Sequence, residues 1–159
     1  MTTSALRARA LGRDDADAAA RLIREAFAVQ GLATDPPSSA LRETAASVAA
    51  HLAEHGGAAL EAEGGLIGLV LWAERDAGLY LGRLAVSPAW RGRGAARALI
   101  AAGEREARRR RLPRLHLRVR LALDDNRRLF LACGFVPVRE GAHPGYAEPT
   151  FLVMEKRLA

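Results

Sequence analysis

Residues 91–96 read Arg-Gly-Arg-Gly-Ala-Ala and fall where a helix should begin. A helix start ordinarily carries Ser, Thr, Asp or Asn as its cap, with acidic residues in the first turn. Here glycines and cations stand there with no carboxylate, which the helix dipole disfavours unless an anion arrives. The first backbone N–H groups of a helix have no internal partner and point outward. Gly92 and Gly94 have no Cβ to hold a ligand away, Arg91 and Arg93 add charge, and the small Ala95 and Ala96 leave the first turn unobstructed. The chemistry this pattern supports is phosphate binding, with a diphosphate as the expected guest.

Other stretches carry reactive side chains. AHPGYAEPT, residues 142–150, holds His143 and Tyr146, both proton-transfer types. A rigid hairpin loop shaped by Pro144, Gly145 and Pro149 is the plain alternative. His51-Leu52-Ala53-Glu54-His55 matches a zinc-protease pattern, H-x-x-E-H. Gly56 and Gly57 end that helix at once, however, and a His near a helix C-terminus has an ordinary dipole rationale, so no metal is expected. Arg108 to Arg111 resembles a nucleic-acid patch. It also occupies a last helical turn, where cations are favoured, and no aromatic residue interleaves it. A solvated helix end is the better reading and nucleic acid is disfavoured. Cys133 reads as a small packing residue.

The elements that must position these residues follow from periodicity. Residues 5–10 alternate apolar residues with Arg and read as a strand. Asp14 and Asp15 start a helix that runs to about Val29. GLATDPPSS, residues 31–39, is a loop. A second helix is expected from about Ala40 to His55, with Leu41, Ala45, Val48 and Leu52 at helical spacing. Extended runs at 58–63, 66–74 and 79–86, joined by Gly-bearing turns, suggest an antiparallel meander. A helix from about Gly94 to Arg111 follows, closed by Pro113. Then come a strand at 115–121, a short helix from Asp124 to Cys133, and strands at 135–139 and 150–156. The order β-α-α-β-β-β-α-β-α-β-β is an α+β plan with one crossover helix between parallel strands.

Composition sets the outer bounds. The 159 residues fit one domain, taken as 1–159, with enough apolar residues for a core. The net charge is +6, and of the 24 basic residues only Lys156 is not Arg, which suits planar, bidentate contact with an anion. A single cysteine makes a reducing compartment the default. The N-terminal stretch has no long apolar run, and Leu66 to Ala73 is far short of a membrane span. The expectation is a cytoplasmic protein with no membrane partner.

Three phosphate loops compete for residues 91–96. A Walker A loop needs Gly-Lys-Ser/Thr, which is missing. A dinucleotide fingerprint needs a third Gly where Arg97 stands, and an acidic residue at the end of a following strand that reads LHLRVR. The third pattern is Gln/Arg-x-x-Gly-x-Gly/Ala, which Arg91, Gly94 and Ala96 fit. LYLGRLAVSPAWRGRGAARALI, residues 79–100, resembles the core of the GNAT acetyltransferase superfamily. DDNRRLFLACGF, residues 124–135, is similar to that family's next helix and its closing Gly-Phe.

The resemblance implies a mixed sheet with two parallel strands splayed apart. It implies that Arg91, Gly92, Arg93, Gly94, Ala95 and Ala96 hold the diphosphate of acetyl-CoA, the co-substrate. Leu84, Ala85 and Val86 would pair with the pantetheine arm like an added strand. A backbone N–H there would polarise the thioester carbonyl. Asn126 would hydrogen-bond the coenzyme, with a plain helix-start role as the alternative, and Phe130 would line its site. The acceptor amine would attack directly, without an acyl-enzyme.

Two departures stand out. Phe130 occupies the place of the family's acidic Tyr, and Gly82 and Arg83 stand where the family often has a basic Glu. Acid and base are thus not carried over, and His143 and Tyr146 are the candidates. The acceptor is a small amine, an amino acid or a protein N-terminus, built around by the 30–40 loop, the second helix and the 139–149 loop. A homodimer is compatible with the resemblance. A non-catalytic acyl-CoA-binding sensor is the alternative function, supported by Phe130 and the missing Glu.

Overall fold

The structure, a computed structural model, describes residues 6–31 and 34–158, with the side chains of 30 and 31 excepted. Ala5 of the first expected strand, residues 32 and 33 of the expected loop, and most of the N-terminal stretch lie outside them. The chain runs β1 (Ala8–Ala10), α1 (Ala16–Gly31), α2 (Ala45–Glu54), β2 (Gly57–Ala62), β3 (Gly65–Arg75), β4 (Gly78–Val86), α3 (Ala95–Arg109), β5 (Arg114–Arg120), α4 (Asp124–Ala132), β6 (Val136–Gly141) and β7 (Phe151–Arg157). The strands form one sheet in the order β1-β2-β3-β4-β5-β7-β6. Only β4 and β5 pair in parallel among the described strands; the rest are antiparallel. This is a single α+β domain with the expected element order.

Helices cover both faces, so the sheet has two cores. On one face Leu99 and Ile100 of α3 and Phe130 of α4 pack on Leu79, Leu81, Leu115, Leu117 and Val119. On the other, Ile23 of α1 and Val48 of α2 pack on Leu69, Leu71 and Ala85. Burial on both sides explains why β3 reads as an apolar run rather than an alternation. The alternation survives in β5. There Leu115, Leu117 and Val119 enter the first core, while His116, Arg118 and Arg120 take the opposite face.

The second helix differs from the sequence expectation. Residues 39–42 form a 3-10 turn, and α2 begins only at Ala45. Thr44 is its cap: its hydroxyl accepts the Ser47 N–H at 3.1 Å, and the Ser47 hydroxyl accepts the Thr44 N–H at 2.9 Å. This reciprocal box outweighs the apolar spacing that extended the expected helix back to Ala40.

Two features of β4 prepare the site. First, it pairs with β5 only at Leu79↔Leu115 and Tyr80↔His116. From Leu81 onward its β5-facing edge has no strand partner among the described residues, and the two strands splay. Second, β4 carries a bulge. Leu69 pairs with Ala85 but Leu71 pairs with Gly82, so Arg83 and Leu84 together oppose Val70. Arg83 sits at φ +47°, in the left-handed region. The extra residue reverses the facing of the strand: Leu81 enters the first core, whereas Ala85 enters the second.

Candidate active site

The strand-to-helix turn after β4 is built as an anion nest. Ser87 to Trp90 make a 3-10 turn, and Gly92 and Gly94 follow at φ +74° and +84°. Only glycine adopts such angles without strain. Gly94 is the α3 cap, and no side chain caps the helix. The first inward bond is Ala98 N–H to the Gly94 carbonyl, at 3.0 Å. Residues 91–94 form a turn, but among the described residues no acceptor stands in regular hydrogen-bonding geometry to the backbone N–H of any residue from 92 to 97. A Cβ on Gly92 or Gly94 would meet nothing within 4 Å, so space lies open above them.

That turn opens into a cleft of about 840 Å³ that passes between the splayed strands to the α1/α2 face of the sheet. Of the residues expected to hold a coenzyme, Leu84, Val86, Arg91, Gly92, Gly94, Ala95, Ala96, Asn126 and Phe130 line it. Ala85 and Arg93 do not. The Ala85 side chain is buried in the opposite core, a consequence of the bulge. Arg93 lies over the Trp90 ring, 4.7 Å from its centre. Arg91 reaches back to donate to the Ala26 carbonyl of α1 at 3.3 Å. Phe130 packs edge-on against Phe135, with ring centres 5.7 Å apart, and has no proton to donate.

At the far end of the cleft the two proton-transfer candidates separate. His143 lines the cleft. Its backbone N–H donates to Thr150 Oγ1 at 3.0 Å, and its Nδ1 shares a hydrogen bond with the same hydroxyl. The ring stands edge-on to Phe151 at 5.3 Å and 84°. Burial first, then the charges of Arg120 and Arg118, push the imidazole below its ordinary pKa, so it is neutral near pH 7. Tyr146 does not line the cleft. It is exposed, and its hydroxyl donates to Asp35 Oδ1 at 2.6 Å, joining the 142–150 loop to the 34–38 segment. That hydrogen bond raises the phenol pKa, which makes Tyr146 a weaker acid.

Several cleft residues had no signal in the sequence. Glu43, at the foot of α2, accepts from Arg83 Nε at 2.8 Å and from the Ser47 hydroxyl. Burial pushes its carboxyl up, but the Arg83 and Ser47 bonds outweigh this and hold it below its ordinary value. Arg83 Nη2 also donates to Ser39 Oγ at 2.9 Å. A carboxylate thus reaches the cleft, but from the segment leading into α2 rather than from the strand. Arg118 lies over the Phe151 ring, 4.6 Å from its centre, and Arg120 donates to the Pro36 carbonyl at 2.6 Å. For these two the sequence does carry a signal: the alternation of LHLRVRL puts His116, Arg118 and Arg120 on one face, open between solvent and the acceptor side, and the structure brings both arginines to the cleft.

The remaining motifs resolve differently. His51 Nε2 donates to the Trp72 carbonyl at 2.9 Å, and its ring lies tilted at 47° to that of His55, centres 4.9 Å apart. Among the described residues no group of three His, Cys, Asp or Glu gathers to hold a metal ion. In the Arg108–Arg111 run, Arg108 pairs with Glu104, Arg109 with Glu106, and Arg110 with both Glu106 and Glu74. No helix of the described residues is long and apolar enough to cross a membrane.

Comparison with known proteins matches this geometry to one family. The family model described as acetyltransferase (GNAT) family matches residues 19–135. Similar solved structures include the ribosomal-protein-S18-alanine N-acetyltransferase from Escherichia coli, 19% identical over 96% of this chain and 94% of that one, TM-score 0.74. The PaiA N-acetyltransferase from Thermoplasma acidophilum, in complex with coenzyme A, is 14% identical over 97% and 99%, TM-score 0.79. A GCN5-related N-acetyltransferase from Rhodopseudomonas palustris is 19% identical over 99% of both chains, TM-score 0.78. At these identities the likeness is one of fold. No curated protein sequence matches the chain significantly.

Proposed function

Because the chain belongs to the acetyltransferase (GNAT) family, we propose that it moves an acetyl group from acetyl-CoA to a primary amine by direct attack in a ternary complex. The observation that carries this reading is the set of unengaged N–H groups at residues 92–97, opening onto the gap between β4 and β5. A diphosphate fits that nest on three counts: donors without protein acceptors, glycines with clear space above them, and the positive end of α3. The coenzyme-bound neighbour from Thermoplasma acidophilum supports acetyl-CoA as the co-substrate.

When bound, acetyl-CoA supplies an acyl carbon already activated by its thioester. This chain's residues do the rest. The unpaired edge of β4 at Leu84, Ala85 and Val86 holds the pantetheine amides as a neighbouring strand would. The bulge at Arg83 and Leu84 breaks the ladder and turns a backbone N–H toward the carbonyl oxygen. His143, neutral and in the cleft, takes the proton that the amine loses on attack. Phe130 excludes water beside the reacting centre. No side chain is assigned to protonate the departing thiolate, which is stable enough to leave and meet solvent at the cleft mouth.

Thiol release from acetyl-CoA across a panel of amines, read together with the mass of the acetylated product, tests this. The expected result is amine-dependent thiol release at a rate well above hydrolysis. Tight coenzyme binding with no release on any amine would instead assign the chain a non-catalytic coenzyme-sensing role.

A further inference from the structure

The half of the cleft farther from residues 91–96 is cationic on one side. Arg118 and Arg120 project from the same face of β5 and both line it. Neither forms an ion pair with any described carboxylate. Arg118 is exposed, and among the described residues its guanidinium rests on the face of Phe151. Arg120 is half-buried and spends one N–H on the Pro36 carbonyl. Burial lowers its pKa, and although the charge of Asp35 reaches it, the Asp35 carboxylate accepts the Tyr146 hydroxyl and makes no ion pair with it. A partly desolvated guanidinium with no anionic partner is a costly arrangement unless one arrives. Arg120 and the exposed Arg118 flank an imidazole that the charge of each biases toward neutrality, and together they form a fork for a planar oxyanion.

The supports are themselves built. Phe151 is buried and lies directly against Gly141 on β6, where a Cβ would come within 2.4 Å of its ring. Glycine there lets the ring lie flat as a platform for Arg118. Across the cleft Glu43 stays ionised beside Arg83, the right charge for an ammonium.

Resting on the acetyltransferase reading above, we propose that the acceptor is a small amine that also carries a carboxylate, an amino acid in class, with Arg118 and Arg120 gripping the carboxylate. Glu43 receives the ammonium before His143 takes its proton. In the transfer, the amine nitrogen forms a bond to the acetyl carbon, the carbon–sulfur bond breaks, and the electron pair leaves with the coenzyme thiolate. The nitrogen loses two protons in all: the first passes through His143 to solvent before attack, and the second passes to the restored imidazole as the carbon–sulfur bond breaks. A planar carboxylate suits this fork because each of its two oxygens can accept from one guanidinium.

The test is calorimetric and does not need turnover. Matched N-acetylamino acids and their carboxamides, with side chains from Gly to Phe, are titrated into the full chain with and without saturating coenzyme A. The acids should bind about tenfold or more tightly than their amides. In the Arg118→Gln, Arg120→Gln double variant that ratio should fall toward one. Arg120→Lys, which keeps the charge but loses the fork, should fall between the two. Equal binding of acids and amides overturns the proposal, as does a preference that survives the double variant. Circular dichroism establishes that each variant is folded, and the single Arg118→Gln variant repeats the comparison if the double one is not. Failure of coenzyme A itself to bind strikes the acetyltransferase reading and leaves the acid-to-amide ratio readable on its own.

Discussion

Gly94 concentrates two demands at one position. Its φ of +84° disfavours any side chain, and on the proposed reading the open space above it takes the diphosphate. The two effects are separable. Gly94→Ala carries only the strain, about 1–2 kcal/mol. Gly94→Asp adds a negative charge facing a negative ligand, and coenzyme affinity should fall by about 2 kcal/mol or more. Calorimetry on both variants should find Asp far worse than Ala; equal losses would mean that the nest does not hold the diphosphate. At the other end of the cleft, His143 should show itself in the pH profile. Its pKa is lowered, so its base form is complete at neutral pH and kcat/KM should fall only on acidification below about 6.5. His143→Gln should slow turnover by about 10²–10⁴-fold and abolish that acid limb. A variant that retains the limb would assign the base elsewhere.

At the scale of elements, the reading of the sequence succeeded where periodicity and turn chemistry act locally. The meander β2-β3-β4, the crossover helix α3 and the alternation of β5 were all legible. The start of α2 was not, because Leu41 continues the helical spacing through a 3-10 turn while the Thr44–Ser47 box sets the true boundary. The bulge at Arg83 was also invisible, since nothing in GRLAV marks a non-glycine residue at positive φ. Contacts between distant segments were the least legible part of the site. Glu43 meets Arg83 forty positions away and Tyr146 meets Asp35 across more than a hundred, so neither pair leaves a local pattern. The β6–β7 pairing offers an element-level prediction. Gly141→Ala must push the Phe151 ring aside, at a stability cost of about 1–3 kcal/mol. Arg118 and His143 both lean on that ring. The acceptor KM should therefore rise while coenzyme affinity, set at the other end of the cleft, is unchanged. Equal damage to both would show that the ring is a packing residue and no more.

For the whole molecule, two imidazoles held neutral by burial, one in the sheet and one on α2, tie stability to pH. His116 is buried on β5, its Nε2 donating to the Arg75 carbonyl at 2.8 Å, and His51 bridges α2 to the Trp72 carbonyl. Burial lowers both pKa values below that of the unfolded chain. The unfolded state then binds more protons, so this contribution is complete above about pH 6.5 and is lost as pH falls through the folded values. Thermal unfolding followed from pH 8 to pH 5 should show a falling Tm, by about 2–4 °C for each kcal/mol lost in a domain of this size. His116→Gln, which keeps a donor for the Arg75 carbonyl, should flatten the curve. A Tm unchanged by acidification would mean that these groups titrate alike in both states.

On the proposed reading, the N–H groups after β4 grip a diphosphate and so aim a thioester into the split between β4 and β5. The most direct measurement is a backbone amide NMR titration of the full chain with coenzyme A. Large, saturating shifts are expected at Gly92, Gly94 and their neighbours through Arg97, followed along the unpaired edge of β4 at Leu84–Val86, with pantetheine alone moving only the second group. Saturating binding that leaves the 92–97 amides in place would contradict it.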